Sequence, residues 1–146
     1  MAAKRPYHRV NLKQSLLGSA VALIGEVGPQ AFTLREVARR AGVSHNAPYR
    51  HFRDKDDLLA EVAAQGFDGL TETIKKTMAK GRTASERLAL AGRGYVQFAL
   101  QRPQHLLVMF ETPATDQQRP EHAEAAQRAF QTLLDAIGEL SCQTWK

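Results

Sequence analysis

The chain has 146 residues, of which 43% are hydrophobic and 24% charged, and this composition indicates a folded protein rather than a disordered one. No apolar run reaches the roughly 18 residues of a membrane-spanning helix, and no secretory signal follows the basic start of the chain. The single cysteine, Cys142, excludes an internal disulfide and fits a reducing cytoplasm, where we expect the protein to be.

Positive charge is concentrated in the first third of the chain. The net charge is +5, but residues 1–55 hold ten Lys and Arg against three Asp and Glu, whereas the remaining residues carry an excess of acids. This asymmetry favours contact of the first part with a polyanion, although a solvated basic surface would explain the charge equally well. Residues 1–8 are predicted to form a flexible basic arm, and Lys4, Arg5 and Arg9 could reach a nucleic-acid backbone.

Apolar residues recur with the period of an α-helix from the start of the chain. The first predicted helix has one apolar face, formed by Leu12, Leu16, Ala20, Ile24 and Val27. It ends at the helix-breaking pair Gly28-Pro29. Thr33 and Glu36 are spaced as a capping box that begins a second helix, which ends at Gly42. Ser44 is predicted to cap a short third helix.

Three longer segments beyond the third helix show the same helical period. Asp54 is predicted to cap a long helix that Gly81 closes, and the capping box 83–86 begins the next one. A short apolar segment, 106–110, follows, and Pro120 begins the last helix. Strand-like alternation is missing from the sequence, so the predicted fold class is all-α.

The stretch from Thr33 to Phe52 is predicted to be a helix-turn-helix. Its two helices are joined by a short turn in which Gly42 can adopt a positive φ, and such a turn makes the helices cross steeply. The second helix has a polar outer face without a carboxylate, formed by Ser44, His45, Asn46 and Arg50. An ordinary bundle helix would usually carry Glu and Lys there, so these hydrogen-bonding residues indicate a surface for DNA.

The stretch from Arg9 to Leu70 resembles the DNA-binding domain of the TetR family of transcriptional regulators. The matching residues are Ala20, Gly28, Phe32–Ala38, Ala41–Ser44, Tyr49–Phe52, Lys55 and Leu58-Leu59. The resemblance implies a homodimeric repressor with a three-helix helix-turn-helix domain at 9–70 and a helical ligand-binding and dimerisation domain at 71–146. Family members are usually longer, so we expect the second domain to be incomplete.

The resemblance and the chemistry of the residues together predict contacts with a double-stranded operator. The predicted DNA-binding residues are Thr33, Arg35, Ser44, His45, Asn46, Tyr49, Arg50 and Lys55. His45 and Asn46 are the expected base readers, because they begin the recognition helix and Asn pairs well with adenine. Tyr49 resembles the family's phosphate-contacting tyrosine, and Thr33 and Lys55 lie at helix starts, which attract phosphate. Lys55 could also be an ordinary first-turn lysine, but a lysine is electrostatically disfavoured there, which favours a functional role.

The predicted effector is a small apolar molecule. Its expected contacts are Phe67, Leu70, Tyr95, Phe98, Met109, Phe110 and Phe130, all of which would also suit the core of a helical bundle. No arginine or histidine is clearly enclosed by apolar neighbours, and His122 is expected on a helix surface. The charge of the effector therefore does not follow from the sequence.

The residues favour two other classes of function less well. A shortened helical binding module with only non-specific DNA affinity remains open, because the expected end of the second domain is missing. An enzyme is excluded, because the chain has no G-x-S-x-G, no G-K-[ST] phosphate loop and no H-E-x-x-H. The sequence accordingly predicts no catalytic residue, no metal site, no cofactor and no membrane partner.

Overall fold

The computed structural model of the protein describes residues 7–112 and 120–144, with side chains in 12–112 and 120–142. In these ranges the chain forms six α-helices and one 3₁₀-helix and contains no strand, which confirms the all-α class. The helices are α1 Tyr7–Val27, α2 Leu34–Arg40, the 3₁₀-helix η1 Ala47–Arg50, α3 Lys55–Met78, α4 Ala84–Gln101, α5 Pro103–Glu111 and α6 Pro120–Thr144. None of the helices described here combines the length and apolar character needed to cross a membrane.

The chain divides into two compact units, residues 1–59 and 60–146, and the division falls inside α3. The boundary predicted from the sequence, after Leu70, also lies in this helix. Helix α1 begins at Tyr7, within the segment predicted to be the arm. The side chains of Lys4, Arg5 and Arg9 lie outside the described residues.

Helix α1 supplies much of the core of the first unit. Leu16 and Ala20 are fully buried and Ile24 is 3% exposed, as the predicted apolar face requires. Val27, the last residue of that face, is half exposed because α1 ends there. The helix stops at Gly28, whose φ of +83° is a conformation that favours glycine.

The predicted caps at Thr33, Thr83 and Asp54 are confirmed. The Thr33 hydroxyl accepts from the Glu36 amide and the Glu36 carboxylate accepts from the Thr33 amide, and the same reciprocal pair forms between Thr83 and Glu86. Asp54 Oδ1 accepts from the Asp57 amide at 2.7 Å, at the start of α3. These bonds satisfy amides that the first turn of a helix leaves without a partner.

The second unit is a helical bundle in which α3 and α4 approach closely. A Cβ built at Gly94 of α4 would lie 2.5 Å from Thr77 Oγ1 and 3.0 Å from Ile74 Cα of α3, so any other residue would force the two helices to shift. Phe98, one turn further along α4, is 1% exposed. The crossing therefore sets the spacing of the two helices around the buried Phe98.

His122 corrects one expectation from the sequence. It is 1% exposed rather than on a helix surface, and its ring centroid lies 5.7 Å from that of Phe67. The reason is its register on α6, where it shares the inward face with the buried Ala125 and Ala129. The second unit thus encloses one histidine, which the sequence pattern did not indicate.

Candidate nucleic-acid interface

The turn that joins α2 to η1 is a Schellman motif. The Val43 amide donates to the Ala38 carbonyl at 3.0 Å, and the Gly42 amide donates to the Arg39 carbonyl at 3.2 Å. Gly42 has a φ of +69°, as the sequence predicted for this turn. These bonds end α2 sharply and bring the chain directly into the polar stretch 44–46.

The third helix of the helix-turn-helix differs from its expected form. It is a four-residue 3₁₀-helix that begins at Ala47, and the cap position is occupied by Asn46, without a side-chain capping bond, rather than by Ser44. The physical reason is Pro48, which has no amide to donate to the Ser44 carbonyl as an α-helix would require. The Ser44 carbonyl instead accepts from the Ala47 amide at 3.0 Å, a 3₁₀-type bond.

The predicted base and phosphate contacts of this element lie on its solvent side. The exposed residues are Ser44, His45, Asn46, Tyr49 and Arg50. Beneath them, Ala47 is 7% exposed, Phe52 is 3% exposed and Pro48 is fully buried. The buried residues anchor η1 and leave the polar residues at the surface. We call the five exposed residues the reading face: Ser44, His45, Asn46, Tyr49 and Arg50.

The start of α2 offers a second polar surface. Thr33 and Arg35, two of the predicted DNA contacts, are exposed there. Glu36 accepts from the Thr33 amide at 2.7 Å and from the Thr33 hydroxyl at 3.0 Å, and these bonds hold the pKa of Glu36 below its ordinary value. The amides of the next two residues, Leu34 and Arg35, have no partner within the helix and suit a phosphate oxygen.

Among the arginines whose side chains the structure describes in the first unit, some form ion pairs and others do not. Arg40 forms a two-bond ion pair with Glu26, at 2.8 and 2.6 Å, and Arg53 pairs with Asp57 at 3.2 Å. Arg35 and Arg50, in contrast, make no ion pair with any residue that the structure describes. Their charge is therefore available to a polyanion, as their predicted role requires.

Lys55 has partners that the sequence did not predict. Its Nζ donates to the Gln30 carbonyl at 3.0 Å and lies 5.2 Å from the centroid of the Phe32 ring. The side chain is half-buried, so the ammonium is not simply presented to solvent. The sequence contains one indirect signal of these contacts: Lys55 lies in the first turn of a helix, where a cation is electrostatically disfavoured.

The structure separates the seven residues predicted to contact an effector. Leu70, Phe98 and Met109 are buried, and Phe67 and Tyr95 are half-buried. Phe110 and Phe130 lie at the surface, 73% and 63% exposed, so they do not enclose a cavity in this structure. Helical periodicity identifies an apolar face but does not show which neighbour covers it. The sequence therefore could not show that Phe110 and Phe130 lie at the surface.

A groove of about 440 Å³ opens elsewhere in the second unit, between the end of α3 and the charged side of α6. Its walls include Arg87 and Glu139, whose Nε and Oε2 atoms are 2.7 Å apart, and Lys75. None of the seven predicted effector contacts lines it. Most of the residues that line the groove are charged or polar, among them Arg128 and Asp135.

Comparison with known proteins agrees with this arrangement. Residues 16–62 match the family model for bacterial regulatory proteins of the tetR family, and residues 88–143 match a tetracyclin repressor-like C-terminal domain. The two matched segments together make up more than half of the chain.

Two curated relatives are similar over about 60 residues of this chain. The chain is 37% identical to the HTH-type transcriptional regulator AcrR of Shigella flexneri over 62 residues, which are 42% of this chain and 29% of that protein. It is also 37% identical to an HTH-type transcriptional repressor of Mycobacterium tuberculosis over 59 residues, 40% of this chain and 31% of that protein. The chain therefore matches less than a third of the length of these curated relatives.

A solved structure extends the likeness to nearly the whole chain. A protein of unknown function from Rhodococcus sp. RHA1 superposes with a TM-score of 0.80 at 30% identity, and the match covers 96% of this chain and 73% of that one. The family is one of DNA-binding regulators, in agreement with the exclusion of catalysis from the sequence. The chain belongs to the TetR family of bacterial transcriptional regulators and carries the DNA-binding domain of that family.

Proposed function

We propose that this regulator is a repressor that binds a two-fold operator as a homodimer and leaves it when a small apolar effector binds. The observation that carries the proposal is the reading face, which is exposed above a buried anchor of Ala47, Pro48 and Phe52. Repression is favoured by the relative from Mycobacterium tuberculosis, which is described as a repressor.

The residues of the first unit have distinct proposed roles on DNA. His45 and Asn46 read base edges in the major groove, and Asn46 suits adenine. Tyr49 and Arg50 contact phosphates beside them, and Ser44 supports the same contact. Thr33 and Arg35 bind a phosphate at the start of α2, where helix amides and the helix dipole favour an anion. Two separated phosphate contacts would fix the orientation of the reading face on the duplex.

The proposed homodimer uses an exposed apolar stripe on α6. Phe130, Leu134 and Ile137 are 63%, 42% and 50% exposed, and their spacing places them on one face of the helix. The same arc of the helix carries Gln127 and Ser141, so two copies that meet there would bring no like charges together. A two-fold contact requires a self-compatible surface of this kind.

Effector release is proposed to act through α3. This helix runs without a break from Lys55, in the DNA-binding unit, to Met78, in the second unit. Phe67, Leu70, Tyr95, Phe98 and Met109 remain the proposed effector contacts. An effector that reorients α3 would change the separation of the two reading faces of a dimer, and operator affinity would fall.

The experiment that tests the proposal is footprinting on DNA from upstream of the protein's own gene. A homodimer on a two-fold operator should protect two half-sites whose centres lie about one helical turn, roughly 34 Å, apart. Protection of a single half-site would contradict the dimer. Uniform, salt-sensitive coverage would instead favour the alternative, a helical module with only non-specific affinity for DNA.

A further inference from the structure

Lys55 occupies a place where a lysine is electrostatically disfavoured. It is the first residue of α3, and the partial positive charge at the start of a helix repels a cation. The next two residues, Asp56 and Asp57, are the acids that this position normally favours. An ammonium group at this point therefore needs an interaction that offsets the repulsion.

That interaction is with the segment between α1 and α2. Lys55 Nζ donates to the Gln30 carbonyl at 3.0 Å, a charge-assisted bond to an oxygen that belongs to no helix. The same nitrogen lies 5.2 Å from the centroid of Phe32, within the range of a cation–π contact. Phe32 is 3% exposed, so the ammonium is held between a backbone oxygen and the edge of the core.

The segment held by Lys55 leads directly to the start of α2. Gln30 and Phe32 precede Thr33, the cap of α2 and a proposed phosphate contact. On its other side Lys55 follows the exit of η1, where the Arg53 amide donates to Asp57 at 3.0 Å. A single side chain thus connects the beginning of α2 to the end of the element that carries the reading face.

We infer that Lys55 is a positioning residue for operator recognition. Its bond to Gln30 holds the α2 start and the reading face at one separation, so that a phosphate contact and the base contacts form together. Operator binding needs both contacts at once, whereas non-specific binding to phosphates does not. The inference rests on the operator binding proposed above.

The test is the salt dependence of DNA binding by Lys55→Met, which keeps most of the stem and removes the ammonium. Positioning predicts about a tenfold loss of operator affinity, the scale of one hydrogen bond to a charged group, with an unchanged salt slope and unchanged affinity for scrambled DNA. A direct phosphate contact predicts a slope smaller by about 0.9 and equal losses on both DNAs. The second result would overturn the inference.

Two matched variants calibrate the slope. Arg50→Met removes a proposed phosphate contact and should reduce the slope by about 0.9. Lys80→Met removes an exposed lysine of the second unit and should change neither slope nor affinity. Circular dichroism at the assay temperature shows that each variant is folded.

A further variant keeps the test decisive if Lys55→Met does not fold. Lys55→Arg retains the charge, and arginine binds phosphate at least as well as lysine. The longer, planar guanidinium changes the geometry of the contacts with Gln30 and Phe32, so positioning predicts a loss of operator affinity, and full retention would contradict it. If the wild-type protein shows no preference for the operator, the proposed function itself is contradicted. If the wild-type protein binds the operator and Lys55→Met has a reduced salt slope, only the positioning role of Lys55 is overturned.

Discussion

Thr33 and Glu36 cap each other across the first turn of α2. The Thr33 amide and hydroxyl donate to Glu36 Oε2 at 2.7 and 3.0 Å, and the Glu36 amide donates to Thr33 Oγ1 at 3.3 Å. Both bonds to Oε2 stabilise the Glu36 carboxylate and lower its pKa, and the bond from the Thr33 hydroxyl has the larger effect. The charge state of Glu36 is thereby linked to the helix that begins the helix-turn-helix.

This link predicts a pH dependence of stability. Because the pKa of Glu36 is lowered in the folded protein, its stabilising effect is complete above the ordinary value of 4.5 and is lost as the pH falls through the lowered value. Glu36→Gln should therefore lose less stability than the wild type when the pH is lowered from 5 to about 3. The urea midpoints of both proteins measure this, and equal losses would count against the capping role of the carboxylate.

The crossing of α3 and α4 predicts opposite effects of two glycine substitutions on the same helix. Gly94→Ala should lower the free energy of unfolding by about 1–3 kcal/mol, because the new Cβ meets the Ile74 backbone and Thr77. Gly92→Ala is the control: a Cβ there meets nothing within 4 Å, and alanine favours a helix by about 1 kcal/mol. Equal effects of both changes would show that the crossing is less tight than the structure has it.

The stripe on α6 predicts that one charge abolishes the dimer. Ile137→Glu should shift the protein towards a monomer in sedimentation equilibrium, because it places two like charges in the proposed two-fold contact. Val96→Glu is the matched control, since Val96 is similarly exposed, at 56%, but lies on α4. A wild-type protein that sediments as a monomer would contradict this use of α6.

The bases are predicted to be read by the two residues that precede η1. His45→Ala and Asn46→Ala should each weaken operator binding by about 1–3 kcal/mol and relax the preference at one base pair. Affinity for scrambled DNA should change little, because neither residue is a proposed phosphate contact. Gln97→Ala, an exposed change on α4, serves as the control, and competition binding with single-base operator variants makes the measurement.

Local sequence signals were enough to place most helix ends. Thr33, Asp54 and Thr83 act as the caps that their spacing predicted, and Gly42 ends α2 with a positive φ. Such ends depend on atoms within a few residues of one another, so the sequence contains the information directly. The third helix is the exception: Pro48 removes one amide from its first turn, and a 3₁₀-helix that begins at Ala47 forms in place of a helix capped by Ser44.

Features that depend on distant neighbours were less accessible. The burial of His122 and the exposure of Phe130 follow from which side of α6 faces the bundle, and periodicity alone gives an apolar face without its partner. The bond from Lys55 to Gln30 joins residues 25 positions apart and leaves only an indirect trace, a cation at a helix start. The reading face, in contrast, was apparent from the sequence because its polar residues are nearly contiguous.

The most direct measurement for the central claim is fluorescence anisotropy with DNA from upstream of the gene and with scrambled DNA of equal length, at low and moderate salt. A regulator that reads its operator through the reading face should prefer the upstream DNA by about 10³-fold or more, and the preference should persist at moderate salt. The doubly substituted protein, His45→Ala with Asn46→Ala, should lose most of that preference. Equal affinity for both DNAs, falling to the same extent for each as the salt concentration is raised, would contradict operator recognition by this chain.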